Sequence, residues 1–121
     1  MSTDPSKNEF ANWTKIIFGY CDGAMHQGST KAPLKYKDTQ LYFRGANITR
    51  AHFKWLEQTY KISTASNIVL TGGSAGALGA LYWSNYRRSV VEKPSVVSTI
   101  ADSGIFMNAK VHESGALKLQ T

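Results

Sequence analysis

Residues 68–79 read Ile-Val-Leu-Thr-Gly-Gly-Ser-Ala-Gly-Ala-Leu-Gly, an apolar run that meets a glycine-rich turn and leaves as a helix-forming run. Ser74 stands at the centre of a G-x-S-x-G pattern, Gly72-Gly73-Ser74-Ala75-Gly76. Strand, sharp turn and helix in that order are the setting of a nucleophile elbow. Such a turn holds the serine in a sparsely populated backbone conformation, which calls for small residues two before and two after it. It also puts the Ser74 hydroxyl at a helix N-terminus, where the dipole favours a developing oxyanion and the Ala75 N–H is the natural first donor. The alternative is a structural turn in which Gly76 and Gly79 only let a helix pack closely on a sheet. A phosphate-binding loop fits less well, because no terminal Gly-Lys-Ser/Thr follows.

Working outward, residues 1–12 read as a polar arm, and Trp13 to Cys21 is rich in β-formers and reads as a strand ended by Asp22-Gly23. Residues 24–40 read as a surface loop. Asn47 is a suitable N-cap for a helix running to about Tyr60, with Ile48, Ala51, Trp55, Leu56 and Thr59 near one face. Phe53, Trp55 and Tyr60 read as core aromatics. Ile68 to Thr71 is the strand into the turn, Ala75 to about Arg88 the helix out, and Val96 to Ala101 a further strand closed by Asp102-Ser103-Gly104. After Asn108 a polar tail, 109–121, carries no clear element. The order β-loop-α-β-α-β contains two crossovers and implies parallel strands. Functional residues of such sheets collect at the carboxyl ends of the strands, where Cys21-Asp22, Ser74 and Asp102 all fall.

The chain has 121 residues, 42% of them hydrophobic, and a net charge of +6. That suffices for one core, yet a sheet with an elbow near its centre usually needs about twice this length. The reading is therefore of an incomplete domain spanning 13–108, with flanking segments of the same domain missing. No apolar run is long enough to span a membrane, and no apolar leader opens the sequence. The basic residues are scattered, with Arg87-Arg88 read as solvated cations at a helix C-terminus. They could attract an anionic polymer, but no recognition motif points to nucleic acid. Cys21 is the sole cysteine and reads as a small buried hydrophobe or as half of a missing disulfide. The sequons Asn12-Trp13-Thr14 and Asn47-Ile48-Thr49 would be available in a secretory compartment.

Four further segments accompany the elbow: Asn12-Trp13, Tyr20-Cys21-Asp22-Gly23-Ala24, Leu41-Tyr42-Phe43-Arg44-Gly45 and Ala101-Asp102-Ser103-Gly104. Together, over roughly residues 8–108, the chain resembles the pectin acetylesterases and the related Notum-type carboxylesterases. The resemblance implies a partial α/β-hydrolase-like parallel sheet with crossover helices. It also implies serine-dependent deacylation of acetylated polysaccharide, or of a lipidated protein, by a secreted or lumenal enzyme that needs no metal; no cofactor motif is present. It carries over Ser74 as nucleophile and the Ala75 N–H as one oxyanion donor. The second oxyanion donor and a disulfide partner for Cys21 would lie upstream, and the triad aspartate and histidine downstream. Gly73 stands where the plant enzymes have cysteine and Ala77 where the family has glycine, both small enough for the turn.

The order Ser74, Asp102, His112 mimics a hydrolase triad, so Asp102 is kept as a rival acid. His112 follows it by ten residues in an unpatterned tail, with no strand to return it to Ser74. His26 has no evident acid partner, and His52 reads as packing or surface. Without a base a serine hydroxyl is a poor nucleophile, so the isolated chain is expected to be nearly inactive. The alternative is a non-catalytic relative that binds carbohydrate or another polyanion.

Overall fold

Asp22 is almost fully buried, and its carboxylate accepts three backbone N–H bonds, two from its own loop and one from the start of a distant helix. Its Oδ1 takes Ala24 N–H at 3.1 Å, and its Oδ2 takes Gly28 N–H at 3.2 Å and Gly45 N–H at 2.6 Å. Gly45 opens the first helix, α1 (Gly45–Tyr60), whose flanking residue Arg44 offers no side-chain cap. The cap therefore comes from 23 residues upstream. This corrects the expectation that Asn47 caps the helix: Asn47 lies inside its first turn. A Cβ on Gly28 or Gly45 would strike the Asp22 carboxylate, so both positions are held to glycine by that contact.

The computed structural model describes residues 2–90, 96–106, 109–111 and 117–119. The described chain is of mixed α/β class. A short antiparallel hairpin, β1 (Leu34–Tyr36) and β2 (Thr39–Leu41), precedes α1, inside the region read as loop. After α1 a 3₁₀ turn over Ile62–Thr64 leads to β3 (Asn67–Gly73), α2 (Ala75–Val90) and β4 (Val96–Asp102). β3 and β4 pair in parallel from Asn67↔Val96 to Gly73↔Asp102, with α2 as the crossover between them. A second hairpin, β5 (Ala109–Val111) and β6 (Leu117–Leu119), stands where no element was expected. The expected strand over Trp13–Cys21 does not form: those residues carry no ladder, so only one of the two expected crossovers is present. A β-forming sequence without a neighbouring strand leaves its backbone groups unpaired, and propensity alone does not make it a strand.

α2 lies on one face of the β3–β4 sheet, and α1 packs against α2. Phe53 and Leu56 of α1 pack with Trp83 of α2, and Leu70 of β3 closes the cluster. The buried face of α1 is Gly45, Ala46, Thr49, Phe53 and Leu56, rotated from the expected one, and Trp55 and Tyr60 are exposed rather than core. Phe53 meets Trp83 at a centroid distance of 6.0 Å. Glu57 and Arg87, one turn further along, are near enough to influence each other's charge. Each pair occupies matching positions of two 16-residue helices. The helices thus run side by side in the same direction, with both N-termini at one end.

Arg87 is not the solvated cation the sequence suggested; it is 2% exposed, with Nε and Nη2 lacking hydrogen-bond partners among the described residues. Burial pushes its pKa down, and attraction to Glu57 partly opposes that. Glu57 itself is held below its ordinary value of 4.5, first by the Ser63 hydroxyl and then by the Ser63 N–H, which bond its two carboxylate oxygens. The opposite face of the sheet, with Val96 and Ile100, stays open among the described residues.

Replacing Asp22 by Ala leaves three N–H groups without their acceptor and should lower the stability to urea by about 3 kcal/mol, with Asp22→Asn losing less. A depressed carboxylate contributes stability above its unfolded pKa and loses it as pH falls through the lower folded value. Stability should therefore decline below about pH 4.5 in part through Glu57, and Glu57→Gln should flatten that limb of a pH–melting profile.

Candidate active site

β3 delivers the chain to Ser74, and α2 begins at the next residue. Ser74 has φ of +51°, in the left-handed region that a residue with a Cβ seldom adopts. Its own N–H is committed: it donates to the Asp102 carbonyl at 3.1 Å, extending the β3–β4 ladder by one bond. Its carbonyl accepts Ala77 N–H at 2.9 Å, as the start of a helix requires. The side chain is thereby turned out of both strand and helix, and Ser74 is exposed. Ala75, as the first residue of α2, has an N–H with no carbonyl one turn back inside the helix. An oxygen bound next to Ser74 could take it.

The two glycines of the motif differ. A Cβ on Gly72 would collide with the carbonyl group of Gly76, so the first turn of α2 lies directly on the strand there. A Cβ on Gly76 would meet nothing within 4 Å, so the expectation of a steric need two residues after the serine is not met. Gly73 likewise faces open space.

The end of the sheet that carries Ser74 also gathers two loops. A Cβ on Gly104, just past β4, would come within 2.8 Å of the Ala77 Cβ. Residues 22–28 lean on α2: a Cβ on Gly79 would lie 3.1 Å from the His26 ring, and Trp83 Nε1 donates to the His26 carbonyl at 3.0 Å. Met25 and His26 are both left-handed, with φ of 56° and 59°. Tyr20 secures the pair, its hydroxyl accepting Met25 N–H at 3.1 Å and its ring standing 4.9 Å from that of His26. Sequence reasoning missed this Tyr20–His26–Trp83 contact. The adjacent small residue Gly79 was its only trace.

Asp102 does lie at this end, paired in register with Gly73. Its backbone carbonyl rather than its carboxylate engages Ser74; the carboxylate accepts the Ser103 hydroxyl at 3.2 Å. Among the described residues no histidine bonds either Ser74 or Asp102. His26 is held against Tyr20, and His52 lies 4.7 Å from the Phe18 ring with Nδ1 buried and unpaired. His112 lies outside the described residues. Asp22, expected at the carboxyl end of a strand, is the buried cap at the start of α1, and Cys21 beside it is exposed and unpaired. Among the described residues no three potential ligands gather as a metal ion would require, and no helix is long and apolar enough to cross a membrane.

The pectinacetylesterase family model matches residues 1–119. The chain is similar to pectin acetylesterase 5 of Arabidopsis thaliana, 40% identical over 109 residues that cover 89% of this chain and 25% of that protein. Pectin acetylesterase 4 of the same plant is 38% identical over 109 residues, covering 89% of this chain and 26% of that protein. Pectin acetylesterase 11 is 36% identical over 109 residues, again covering 26% of the relative. The chain thus spans about a quarter of the length of the curated relatives it matches. No solved structure matches it.

Gly72→Ala should cost about 3 kcal/mol in denaturant unfolding, because the strand–helix contact leaves no room for a methyl. Gly76→Ala should be neutral or stabilising by up to about 1 kcal/mol, since alanine is the better helix former and its methyl meets no neighbour.

Proposed function

This chain belongs to the pectinacetylesterase family, and we propose that Ser74 is the nucleophile of a carboxylic-ester hydrolase that removes acetyl groups from pectin or a similar polysaccharide. The observation that carries this reading is the left-handed Ser74 at the β3–α2 turn, its amide tied to Asp102 and its hydroxyl free to face solvent. Ser74 Oγ attacks the ester carbonyl as a general base takes its proton. The carbonyl oxygen becomes an oxyanion facing the Ala75 N–H and the N-terminal end of α2. Collapse breaks the bond to the sugar oxygen, which leaves with the proton as a hydroxyl, and an acetyl-serine remains. Water then attacks that ester, and acetic acid departs as Ser74 recovers its proton.

The base is a histidine oriented by an acid, and we assign neither to the described residues. Asp102 is the rival acid, although its carboxylate turns to Ser103. We read residues 13–108 as the central part of a longer catalytic domain. Physical support comes from the two-stranded parallel sheet, since parallel strands in stable domains are covered on both faces. The same reading makes the enzyme secreted or lumenal, with the exposed Cys21 available to a disulfide partner, and leaves the isolated 121-residue chain nearly inactive.

A serine-directed fluorophosphonate probe tests the assignment. The chain alone should label weakly. The chain joined to the flanking segments of its own gene should label strongly at Ser74 and release acetate from acetylated pectin. Ser74→Ala in that longer protein should cut turnover by about a million-fold. Strong Ser74-dependent labelling of the short chain would argue against the missing base. A longer protein that binds pectin but releases no acetate would favour the non-catalytic reading.

A further inference from the structure

The β1–β2 hairpin exposes side chains that its fold does not need. Leu34 and Tyr36, on a hairpin only three residues long per strand, and Tyr42 just after it are each more than half exposed. Its register, Leu34↔Leu41 and Tyr36↔Thr39, sets Leu34 and Tyr36 side by side on one face. Lys37 in the two-residue loop carries its ammonium 5.5 Å from the centre of the Tyr36 ring. Between residues 31 and 44 the chain has four cations, Lys31, Lys35, Lys37 and Arg44, against the single carboxylate of Asp38. An exposed apolar surface of this kind marks a contact site, and its charge selects an anionic partner.

The hairpin is also firmly placed. At its base Thr30 donates from both N–H and hydroxyl to the Phe43 carbonyl, at 3.0 and 3.1 Å, and Arg44 Nη2 donates to the Lys31 carbonyl at 2.8 Å. β2 ends at Leu41 and α1 begins at Gly45, so only three residues separate the hairpin from the N-terminal end of α1. That end lies beside the N-terminal half of α2, because the loop fixed by Asp22 to Gly45 also touches Gly79. The hairpin therefore rises from the same end of the sheet as Ser74.

We infer that the β1–β2 hairpin is a binding arm for an acidic polysaccharide, with Tyr36 stacking on a sugar ring, Lys37 pairing with a uronate carboxylate beside it, and Lys35, on the opposite face of the short hairpin, adding to the positive field. The choice of a uronic-acid polymer rests on the esterase reading; the existence of a polyanion-binding arm does not. The arm would hold the polymer across the rim while an acetylated unit reaches Ser74. Tyr36 contributes a rigid aromatic face and Lys37 a charge beside it, a combination that suits a ring bearing both apolar and carboxylate edges.

Binding of the 121-residue chain to a fluorescent oligogalacturonate, followed by anisotropy, tests this. Tyr36→Ala and the double variant Lys35→Gln/Lys37→Gln should each weaken binding by roughly tenfold, and raised salt should weaken it further. The equally charge-depleted Lys7→Gln/Lys54→Gln should bind as the parent does, as should Ser74→Ala. An uncharged cellulose oligomer should not compete, and a single-stranded DNA of equal charge should compete at least tenfold less well. No binding, equal losses in the two lysine pairs or an unaffected Tyr36→Ala would each overturn the arm, and equal competition by DNA would overturn its assignment to a uronic-acid polymer. Circular dichroism of the hairpin variants checks that the helices persist. Ser74→Ala separates the two ideas: the arm can bind where the esterase chemistry fails, and the chemistry can proceed where the arm is absent.

Discussion

One buried carboxylate organises the end of the molecule that matters. Asp22 takes three backbone N–H bonds and, in doing so, joins the loop over residues 22–28 to the start of α1. Ionised groups accept hydrogen bonds about twice as strongly as neutral ones, and a helix N-terminus adds its own attraction. The two glycines that crowd the carboxylate show how closely the backbone closes around it. The Thr30–Phe43 clasp and the hairpin beyond it adjoin this contact at the start of α1, while Tyr20 and Trp83 hold the left-handed Met25–His26 pair within the same loop.

The parallel course of α1 and α2 gives the rim two helix N-termini with different fates. That of α1 is filled from within by Asp22. That of α2 has no acidic residue in its first turn and begins directly after an exposed serine. A field of one sign is thus cancelled at one helix and left available at the other, the arrangement an ester oxygen turning into an oxyanion would exploit. At the far end the same helices bury Arg87, whose charge is felt by Glu57 and whose Nε and Nη2 find no hydrogen-bond partner among the described residues.

The β3–α2–β4 unit was legible because each of its signals is local. A β-branched run, adjacent glycines and a helix-forming run give β3, turn and α2 in the order observed. The sharp turn at Ser74 was legible for the same reason. Features decided by distant residues were not legible. The start of α1 depends on a cap 23 residues away, which the local cap signal at Asn47 conceals. The β1–β2 hairpin turns on Lys37-Asp38, which lacks the glycine or asparagine signal of a tight turn. Trp13–Cys21 has the composition of a strand but no ladder partner among the described residues. Arg87 carries a charge that composition assigns to the surface, and only the packing of two helices puts it inside.

The bond from Ser74 N–H to the Asp102 carbonyl makes the strand ladder a ruler for the hydroxyl. Adjacent residues along a strand are about 3.3 Å apart, whereas a hydrogen bond tolerates only a few tenths of an ångström. A slip of β4 against β3 by one residue would carry the serine further than any partner could follow. The position of the hydroxyl is therefore written along the whole pairing, from Asn67 and Val96 onward. Damage to the far end of that pairing would be felt at Ser74 as surely as a change beside it.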